Sequence, residues 1–514
     1  MKNFKFIIAA LVLLVITSCN KYLDTNTSPN QSTQSRVDLV LTSAQLQLSL
    51  AFGGRSAEQL LTWNQYWTGD QSVVTNDWDK NDMKPSDGNA PWNRAYSQSL
   101  SSLQYIIKSG KQPKYAGVAK ILMAYEYQLL VDLYGDVPFT DALKGSDADP
   151  NRSPVPDNQA DIYPKLIAMV DEAQTLLDTT GAGIDDVQGD LVFGSDPNNL
   201  ISNWHVFANA LKLKLLMRQA NTTNATIATQ VADLVSTGGY QGYGFTFTGA
   251  EYAGVEFTGD AASKLNANPL WTELQGGALK NYFYGSSTII SLLTDTEDPR
   301  IDAQFTPPPS GPNAGNQVGL DQGDQAGIIP GTFFSRPKGG KWDDAVLGDA
   351  HMYGPNVPFI LISNWEVNLL LAEAAVRGYT SDDAETLYNS AVESNFNYFG
   401  VLDPATYEAA GLITDREGGG FDGTTEATGL KSIALQKWVC MDGIQATESW
   451  IETRRLDRTT EPIFQSPGGI FLDPPSSVLA PGTFPSILLY SESETNFNAN
   501  LHQHTTTDKV FWDR

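Results

Sequence analysis

Residues 115–134 read YAGVAKILMAYEYQLLVDLY and decide the fold class of this 514-residue chain. Apolar side chains recur along the stretch at the i, i+3, i+4, i+7 spacing of one helix face. The residues on that face are Val118, Ile121, Leu122, Tyr125, Leu129 and Leu133. The stretch therefore predicts an amphipathic α-helix that packs one face against the rest of the protein.

Helical periodicity continues on both sides of this stretch. Pro164 stands where a helix tolerates proline in its first turn, and a helix follows over residues 162–177. Ser202 is an N-cap candidate for a helix that runs to residue 219, and Ser381 is one for residues 382–396. Three further apolar stretches predict helices over residues 364–377, 431–441 and 444–455, the first of them ended by Gly378.

The predicted helices come as neighbouring pairs with short connections, such as 364–377 with 382–396. Such pairs resemble tetratricopeptide-type hairpins, whose apolar faces are buried only when the pairs stack. The fold class is therefore mostly α; a large α protein without a repeat is the alternative, because long insertions interrupt the period. Residues 39–514, taken as a single domain, divide into a helical scaffold at about 39–235 and 361–456 and loop-rich insertions at about 236–360 and 457–486.

The loop-rich insertions contain many Gly, Pro and aromatic residues, with Pro307-Pro308-Pro309 as one clear break. Loops this long inside a folded domain are usually functional or disordered. The aromatic content favours ordered, packed loops. We therefore expect the helices to form a scaffold and the loops to carry recognition.

The N-terminus predicts a secretory signal peptide and a lipid anchor. Two lysines precede an apolar run over residues 6–16, which is too short for the ~20 residues of a membrane-spanning helix. Small residues end directly at Cys19, as in a bacterial lipobox. We expect residues 1–18 to be removed and the Cys19 thiol to be acylated by fatty acids such as palmitate; the alternative is an ordinary cleaved signal with a chance cysteine. Residues 19–38, rich in Thr, Ser, Asn and Pro, predict a lipid-anchored strap with little regular structure.

Composition narrows the classes of ligand. The chain has 33 Lys and Arg against 59 Asp and Glu, a formal net charge of −26. Such an acidic chain repels nucleic acid phosphates and anionic lipid head groups, whereas neutral sugars suit it. No other apolar stretch reaches membrane-spanning length, so membrane attachment is expected through the lipid alone. With Cys19 acylated, Cys440 has no partner for an intramolecular disulfide and is expected to be a buried thiol.

The sequence offers little sign of catalysis. It contains no HExxH, GxSxG, Walker or GxGxxG motif, so we expect no enzyme activity, no catalytic residue and no cofactor. His502 and His504 could offer two metal nitrogens, but no third ligand is evident and no metal site is predicted. Glu251 and Glu256 could serve as acid and base in glycoside cleavage, although such a pair carries almost no specificity among 59 acidic residues.

Aromatic residues point instead to carbohydrate. Five of them crowd into residues 63–92 and alternate with polar residues such as Asn64 and Gln65. Sugar rings pack their C–H faces on aromatic rings while their hydroxyls need amide and carboxylate partners. Trp78 lies in a polar run and is the best candidate for exposure, whereas Trp63 and its neighbour four residues on could form a buried helix face. The candidate ligand-binding residues are Trp67, Asn76, Asp77 and Trp78.

Motifs in order along nearly the whole mature chain resemble the SusD/RagB family of outer-membrane lipoproteins. The closest match is AYEYQLLVDLYGDVPF at residues 124–139, which resembles the core helix of the family and its exit. The other matching segments are residues 20–24 and 26–30 after the lipobox, 204–214, 298–300, 371–375, 436–438, 450–455 and 510–513. Each segment is weak alone, but the ordered series is specific and resembles the SusD-like nutrient-binding subgroup of Bacteroidetes-type bacteria.

The resemblance implies four tetratricopeptide-like helix pairs that support a loop-rich ligand-binding half. It implies a lipid-anchored protein on the outer face of the outer membrane, partnered by a TonB-dependent β-barrel transporter of the SusC type. Family members bind oligosaccharides, or in some cases peptides, and pass them on without cleaving them. Cys19 is the functional residue that carries over by pattern. Asp24 is the one acidic residue that closely follows the lipid position, which leaves retention on the inner leaflet open.

The leading functional prediction is a non-catalytic surface lipoprotein that binds an oligosaccharide and delivers it to such a transporter. A peptide-binding receptor is one alternative, because the sequence does not name the nutrient. A helical-repeat module for protein interaction is another, since helix pairs alone are compatible with it. A lipid-anchored glycan hydrolase is the third.

Overall fold

The computed structural model of the chain describes residues 35–70, 77–110, 112–145, 150–183, 185–259, 266–275, 282–323, 333–338, 354–401, 420–457, 462–465 and 468–513. In these ranges helices dominate and the strands are short. The helices are α1 (Val37–Phe52), α2 (Arg55–Trp63), α3 (Asn89–Arg94), α4 (Ser101–Ser109), α5 (Pro113–Tyr134), α6 (Gln159–Leu177), α7 (Leu200–Arg218), α8 (Ile227–Ser236), α9 (Pro269–Gln275), α10 (Ser287–Asp295), α11 (Ile301–Gln304), α12 (Asn364–Val376), α13 (Ala384–Phe399), α14 (Glu426–Met441), α15 (Ala446–Leu456) and α16 (Glu492–Phe497). The strands are β1 (Trp67–Gly69), β2 (Tyr252–Val255), β3 (Phe283–Gly285), β4 (Phe305–Thr306), β5 (Arg336–Pro337) and β6 (Phe359–Ser363).

Helix α5 is confirmed where the sequence predicts it, but it is not amphipathic. From Tyr115 to Tyr134 every residue except Lys120 is buried. A helix that is buried all round lies at the centre of a protein rather than on its surface. Its polar residues accordingly find internal partners: Glu126 accepts a hydrogen bond from Ser99 Oγ at 2.7 Å. The amphipathic interpretation was wrong because it followed one apolar stripe and ignored small and aromatic residues on the other faces.

Consecutive helices pack against each other as helical hairpins. Four such hairpins are α5 with α6, α7 with α8, α12 with α13 and α14 with α15. In the first pair the backbones approach closely, because a Cβ at Gly117 would lie 2.9 Å from the carbonyl oxygen of Ala173. Glycine is therefore required where α5 crosses α6. The fold is mostly α with tetratricopeptide-like pairs, as the sequence predicts.

Several predicted helix starts are displaced. Asn158 caps α6 by accepting the Ala160 amide hydrogen at 3.0 Å, so Pro164 lies inside the helix and not in its first turn. Helix α7 begins before Ser202, whose hydroxyl donates back to the Asn199 carbonyl at 2.8 Å instead of capping. Asp383, not Ser381, precedes α13. The misplacements share one cause: these segments offer several residues of N-cap type, and local sequence does not rank them.

Short antiparallel strand pairs tie distant segments together. Strand β1 pairs with β3 in the register Trp67 to Gly285 and Gly69 to Phe283. Strand β2 pairs with β6, with an irregularity after Ala253, and β4 pairs with β5. Thus residues 236–360 contain short regular elements within the loops, and they anchor those loops to the helical scaffold.

Ten charged side chains meet between the helices of the scaffold, and we call them the buried charge network. Lys437 Nζ lies 2.6 Å from Glu452 Oε2, and Arg455 Nη2 lies 2.5 Å from Glu373 Oε2. Five cations face five carboxylates, so the network is balanced in formal charge. Its members are Asp132, Lys214, Arg218, Glu366, Glu373, Arg377, Lys437, Glu448, Glu452 and Arg455.

Two opposing effects set the pKa values of the carboxylates in this network: burial raises them and neighbouring cations lower them. Burial raises the pKa of Glu373, but the guanidinium groups of Arg455 and Arg377 outweigh it and bring the value to about 2. For Glu452, burial is likewise outweighed by Arg455 and Lys437, and its pKa lies well below the ordinary value. Both carboxylates are therefore ionised at any physiological pH, which is possible in a dry interior only with cations in contact.

Two further expectations concern the membrane and the thiol. Among the described residues, no helix combines the length and the apolar character needed to cross a bilayer. Cys440 is fully buried, as predicted, and its sulfur accepts a hydrogen bond from Arg300 Nη1 at 3.3 Å. Cys19 lies outside the described residues, so the predicted lipid anchor is not visible in the fold.

Candidate functional site

The pairing of β1 with β3 creates a polar and aromatic rim in the loop-rich half. Gly69 ends β1 at a point where space is short: a Cβ there would lie 2.3 Å from Tyr282 Oη and 2.6 Å from Asp79 Oδ2. Only glycine lets the strand end approach both side chains. The sequence thus uses a glycine to bring a tyrosine and a carboxylate from different loops to one strand end.

Asp79 locks the next loop onto this strand. Its buried carboxylate accepts the Gly69 amide hydrogen at 2.9 Å and the Thr68 hydroxyl at 3.1 Å. The short helical turn Trp78–Lys80 is thereby held against β1. Trp63 Nε1 adds a third tie by donating to the Trp78 carbonyl at 3.1 Å. The rim is therefore built on fixed elements and not on a free loop.

Three side chains form what we call the rim cluster, Asp70, Tyr284 and Arg336. The Tyr284 hydroxyl donates to Asp70 Oδ2 at 3.1 Å, and the guanidinium carbon of Arg336 lies 4.0 Å from the Tyr284 ring centroid. Arg336 Nη1 also donates to the Phe283 carbonyl at 3.1 Å. Tyr284 and Arg336 are buried, whereas Asp70 is half-buried. The cluster thus joins one half-buried carboxylate to a buried tyrosine and a buried arginine.

Burial shifts the pKa values of two members of the cluster, Tyr284 and Arg336. Burial raises the pKa of Tyr284 to about 12; Arg336 opposes this rise and Asp70 adds to it. Tyr284 is thus a neutral hydrogen-bond donor at neutral pH. Burial lowers the pKa of Arg336, while Tyr284 and Asp70 act in the opposite direction. Tyr284 therefore donates its hydroxyl hydrogen to a carboxylate while its ring supports the Arg336 guanidinium.

The structure brings three of the four predicted ligand residues to this rim, but not in the expected state. Trp78 is only 6 % exposed, so the expectation of an exposed ring was wrong. Its ring lies under the Arg55 guanidinium at 4.9 Å, and its Nε1 is 3.4 Å from Asp87 Oδ2. The groups that contact the ring therefore come from outside the polar run that suggested exposure.

The other predicted residues differ in their surroundings. Trp67 is fully buried and packs on Phe283 at a centroid distance of 5.3 Å. It lies in β1 and not on a helix face shared with Trp63, although both rings are buried. Asp77 is exposed beside the turn that carries Trp78. Asn76 lies outside the described residues. Ligand contact by these four residues stays a prediction.

Asn64 and Gln65, which the sequence placed among the polar partners of a sugar, have structural roles. Asn64 Nδ2 donates to Ser449 Oγ at 2.7 Å, and Gln65 Nε2 donates to the Leu472 carbonyl at 2.6 Å. Both residues are fully buried. They tie α2 to α15 and to the loop at residue 472, and they have no face left for a ligand.

The residues considered for catalysis and metal binding also include side chains with structural contacts. The Glu251 carboxylate accepts the Ser394 hydroxyl at 2.5 Å and holds α13, while burial raises the pKa of Glu256. His504 Nε2 lies 2.7 Å from the Leu488 carbonyl, and burial lowers the pKa of this imidazole. In the part of the chain that the structure describes, no three His, Cys, Asp or Glu side chains gather as a metal site would require.

Sequence reasoning missed Arg336. This residue is 53 positions from the carbonyl that it contacts on β3, and no periodicity links the two. One signal was present: residues 301–335 contain no Lys or Arg, so Arg336 is the first cation after a long run without one in an acidic chain. An arginine that closely follows two aromatic residues, Phe333 and Phe334, is a candidate for a contact with an aromatic ring.

Comparison with a family model gives the decisive match. The model, described as starch-binding associating with outer membrane and SusD-like, matches residues 29–462. The chain belongs to the SusD-like family. This SusD-like family is associated with the outer membrane and is defined by binding, so the chain is a binding protein and not an enzyme, as the sequence predicts. No curated protein matches the chain by sequence.

Solved structures confirm the SusD-like fold. A chitin-binding SusD homologue from Flavobacterium johnsoniae is 18 % identical, with a TM-score of 0.72 over 93 % of this chain and 99 % of that chain. A SusD homologue from Bacteroides uniformis is 18 % identical, with a TM-score of 0.71 over 92 % and 99 %. A chitin-binding protein is 22 % identical, with a TM-score of 0.70 over 93 % and 99 %. At these identities the likeness is one of fold.

Proposed function

We propose that this SusD-like protein is a cell-surface lipoprotein that binds an oligosaccharide without cleaving it and passes it to a TonB-dependent transporter of the SusC type. The observation that carries the proposal is the match of residues 29–462 to a family described as starch-binding and outer-membrane associated. Two proteins of the same fold are chitin-binding, which supports a glycan as the ligand. The acidic chain, with a net charge of −26, favours a neutral glycan.

The rim cluster supports binding in the loop-rich half. Asp70 offers carboxylate oxygens to sugar hydroxyls, and Tyr284 and Arg336 hold that carboxylate in place. Asp77, which is exposed, extends the same polar edge in our proposal, while Trp78 and Trp67 support it from below, and Asn76 is proposed as a ligand contact from the sequence alone. A few hydroxyl contacts and ring contacts give micromolar to millimolar affinity, roughly −4 to −8 kcal/mol. Such weak binding suits a protein that must release its ligand.

Calorimetry with the full chain tests this proposal on starch, chitin and xylan oligosaccharides and on a peptide mixture. We expect saturable heat with at least one glycan series. Asp70→Asn removes the charge with almost no change of shape and weakens that binding about tenfold, the loss of a charge-assisted hydrogen bond. Asp141→Asn is the matched control, because Asp141 is also half-buried but pairs with Lys144 at 2.7 Å on a different loop.

The outcomes separate the competing functions. Binding of peptides alone would replace the glycan by a peptide as ligand. If neither glycans nor peptides gave binding heat, the helical-repeat interaction module would be favoured. Release of reducing ends from any oligosaccharide would establish a hydrolase. Equal affinity of the Asp70 and Asp141 variants would remove the rim cluster from the site.

The membrane anchor is proposed at Cys19. Cys19→Ala should abolish labelling by palmitate and move the protein from the membrane fraction to the soluble fraction. Protease treatment of intact cells then reports the leaflet: digestion indicates the outer face, whereas protection indicates retention inside. Persistent membrane attachment of Cys19→Ala would contradict the anchor.

The transporter partner is tested by purification from membranes. We expect the lipid-anchored chain to co-purify with a β-barrel of the TonB-dependent class after mild detergent extraction. The Asp70→Asn variant is expected to retain the barrel, because the rim cluster is proposed to contact the ligand. Recovery of the chain without any barrel would remove delivery from the proposal and leave binding intact.

A further inference from the structure

A second concave surface lies in the helical half, on elements that the rim cluster does not use. Helices α6, α7 and α8 enclose a groove of about 510 Å³, within the size range of small-molecule sites. Leu216 and Leu234 give it an apolar floor. Gln230, Asp233 and Thr237 give it a wall of amide, carboxylate and hydroxyl groups, all of them exposed.

Two tyrosines stack on one histidine at the end of this groove that Tyr240 lines. Tyr240 lines it, and its ring lies 5.4 Å from the ring of His205 at an interplanar angle of 10°. Tyr243 stacks on the same histidine at 4.4 Å and 11°. His205 is fully buried, whereas Tyr243 is 36 % exposed. The stack therefore continues from the interior to an aromatic surface that solvent can reach.

Buried polar groups hold the loop that carries the tyrosines. Asn209 accepts the Tyr240 amide hydrogen at 2.9 Å and donates to the Gly244 carbonyl at 2.9 Å. Gly239 has a φ of 75°, and a Cβ there would lie 2.3 Å from Asn209 Nδ2, so this turn requires glycine. The position of the tyrosine pair is thus fixed before any ligand arrives, which lowers the entropic cost of binding.

The hydroxyl of Tyr240 has polar partners of its own. Asp178 Oδ2 accepts the Tyr240 hydroxyl at 2.7 Å and the Gln241 amide at 2.8 Å. Asp178 Oδ1 lies 3.2 Å from His205 Nε2, and the other ring nitrogen is 3.2 Å from Gln174 Oε1. Burial lowers the pKa of His205 while Asp178 opposes it.

The charges around the groove favour a neutral sugar over an anionic one. Lys212 lines it, but its ammonium pairs with Asp171 Oδ1 at 2.6 Å. Asp178 and Asp233 add carboxylates at the tyrosine end and along the wall. A sulfated or uronic sugar would meet this negative charge, whereas a neutral sugar can use the carboxylates as hydrogen-bond acceptors.

We propose that the groove between α6, α7 and α8 is a second saccharide site, which binds a neutral oligosaccharide with one sugar ring packed against the Tyr240 and Tyr243 pair. The inference rests on the proposed function, since it assumes that glycans are the ligands of the protein. It adds a binding surface on the helical half, separate from the rim cluster. Two sites on one chain would hold a long glycan at two points and raise its effective affinity by avidity.

Fluorine NMR on the full chain tests the site directly. One sample carries 3-fluorotyrosine at position 243 and a matched control carries it at position 105, where Tyr105 on α4 is 38 % exposed and outside the groove. Each is titrated with neutral hexasaccharides of glucose, N-acetylglucosamine and xylose. We expect a saturable shift at position 243 for at least one series and none at position 105.

Variants then connect the signal to the groove. Tyr240→Ala weakens the titrated affinity by about fivefold, the worth of one aromatic contact. Asp233→Asn, on the exposed wall, weakens it by about twofold to fivefold through a lost acceptor. Asp70→Asn leaves the shift at position 243 unchanged, because the rim cluster is a different site.

Each outcome decides between the two proposals. Calorimetric binding that Asp70→Asn weakens, together with no shift at position 243, would overturn the groove site and leave the proposed function standing. A titrated affinity at position 243 that Tyr240→Ala leaves unchanged would also overturn it. No glycan signal by either method would overturn both, and equal shifts at positions 243 and 105 would reveal non-specific contact.

Discussion

The buried charge network and the rim cluster hold charged side chains in different ways. In the network each cation contacts at least one carboxylate, and ten side chains neutralise one another away from water. In the rim cluster Arg336 lies on the Tyr284 ring, and Asp70 accepts a tyrosine hydroxyl while it remains half-exposed. The first arrangement keeps its charged groups away from water, whereas the second keeps one carboxylate partly exposed.

Glu58 shows how burial changes the pKa of a carboxyl group that has no cation in contact. It is buried on α2, and among the described residues its Oε1 has no hydrogen-bond partner. Burial raises its pKa to about 8; Glu273 adds to the rise and Arg55 opposes it. Burial acts on Glu58 and Glu373 alike, so the guanidinium contacts account for their opposite shifts.

The largest expected effect comes from breaking the network at Glu373. Glu373→Gln leaves Arg455 and Arg377 buried without their shared anion, which destabilises the protein by about 3–5 kcal/mol. Unfolding in denaturant, followed by circular dichroism, measures the loss. Glu172→Gln removes the exposed pair with Lys120 and is the control, with an expected change of about 0.5 kcal/mol or less. Similar losses for the two variants would contradict the special role of the network.

Glu58→Gln gives the next largest effect and has the opposite sign. Because the folded pKa of Glu58 is raised from 4.5 to about 8, its contribution to stability is present below pH 4.5 and is lost as pH rises through about 8. The amide removes that loss, so we expect a gain of roughly 3–5 kcal/mol at pH 9 and almost no change at pH 4. Unfolding curves of both proteins across this pH range decide it; a pH-independent difference would show that Glu58 does not titrate as stated.

Gly117→Ala tests the close approach of two scaffold helices. The new methyl group would lie 2.9 Å from a backbone carbonyl of α6, which cannot swing away as a side chain can. We expect a loss of about 1–3 kcal/mol in the free energy of unfolding. Gly145→Ala is the control, since no heavy atom lies within 4 Å of a Cβ at that position. A loss of equal size at both positions would argue against tight packing of α5 on α6.

The smallest expected effect is at the rim cluster. Tyr284→Phe keeps the ring under Arg336 but removes the hydroxyl that donates to Asp70, which costs about 1 kcal/mol of stability. Glycan affinity is expected to fall by about threefold to tenfold, because Asp70 loses its positioning contact. A fall in stability without any change in affinity would assign Tyr284 to the fold alone.

The comparison also shows which parts of the molecule local sequence can predict. The periodic apolar residues of α5 and the Leu/Ala stretch of α12 predict helices because their pattern is local. The extent of burial around α5 was not predictable, since it depends on helices that pack from every side. Helix starts were misplaced where several capping residues compete.

The candidate site was predicted less well, for a physical reason. Trp78 was expected to be exposed from its polar neighbours, but Arg55 and Asp87 reach it only in the folded chain. Asn64 and Gln65 were grouped with a ligand although their partners lie about 400 residues away, at Ser449 and Leu472. Rim and groove alike are assembled by contacts of long sequence separation, on which spacing carries no information.

The buried charge network has a further consequence for behaviour on heating. Water orders strongly around ions, so the hydration that these ten groups give up becomes less favourable as temperature rises. The free-energy cost of removing these groups from water therefore falls on warming, while their mutual attraction persists. We expect the helical half to retain its tertiary contacts at temperatures at which the loops of the other half have begun to loosen.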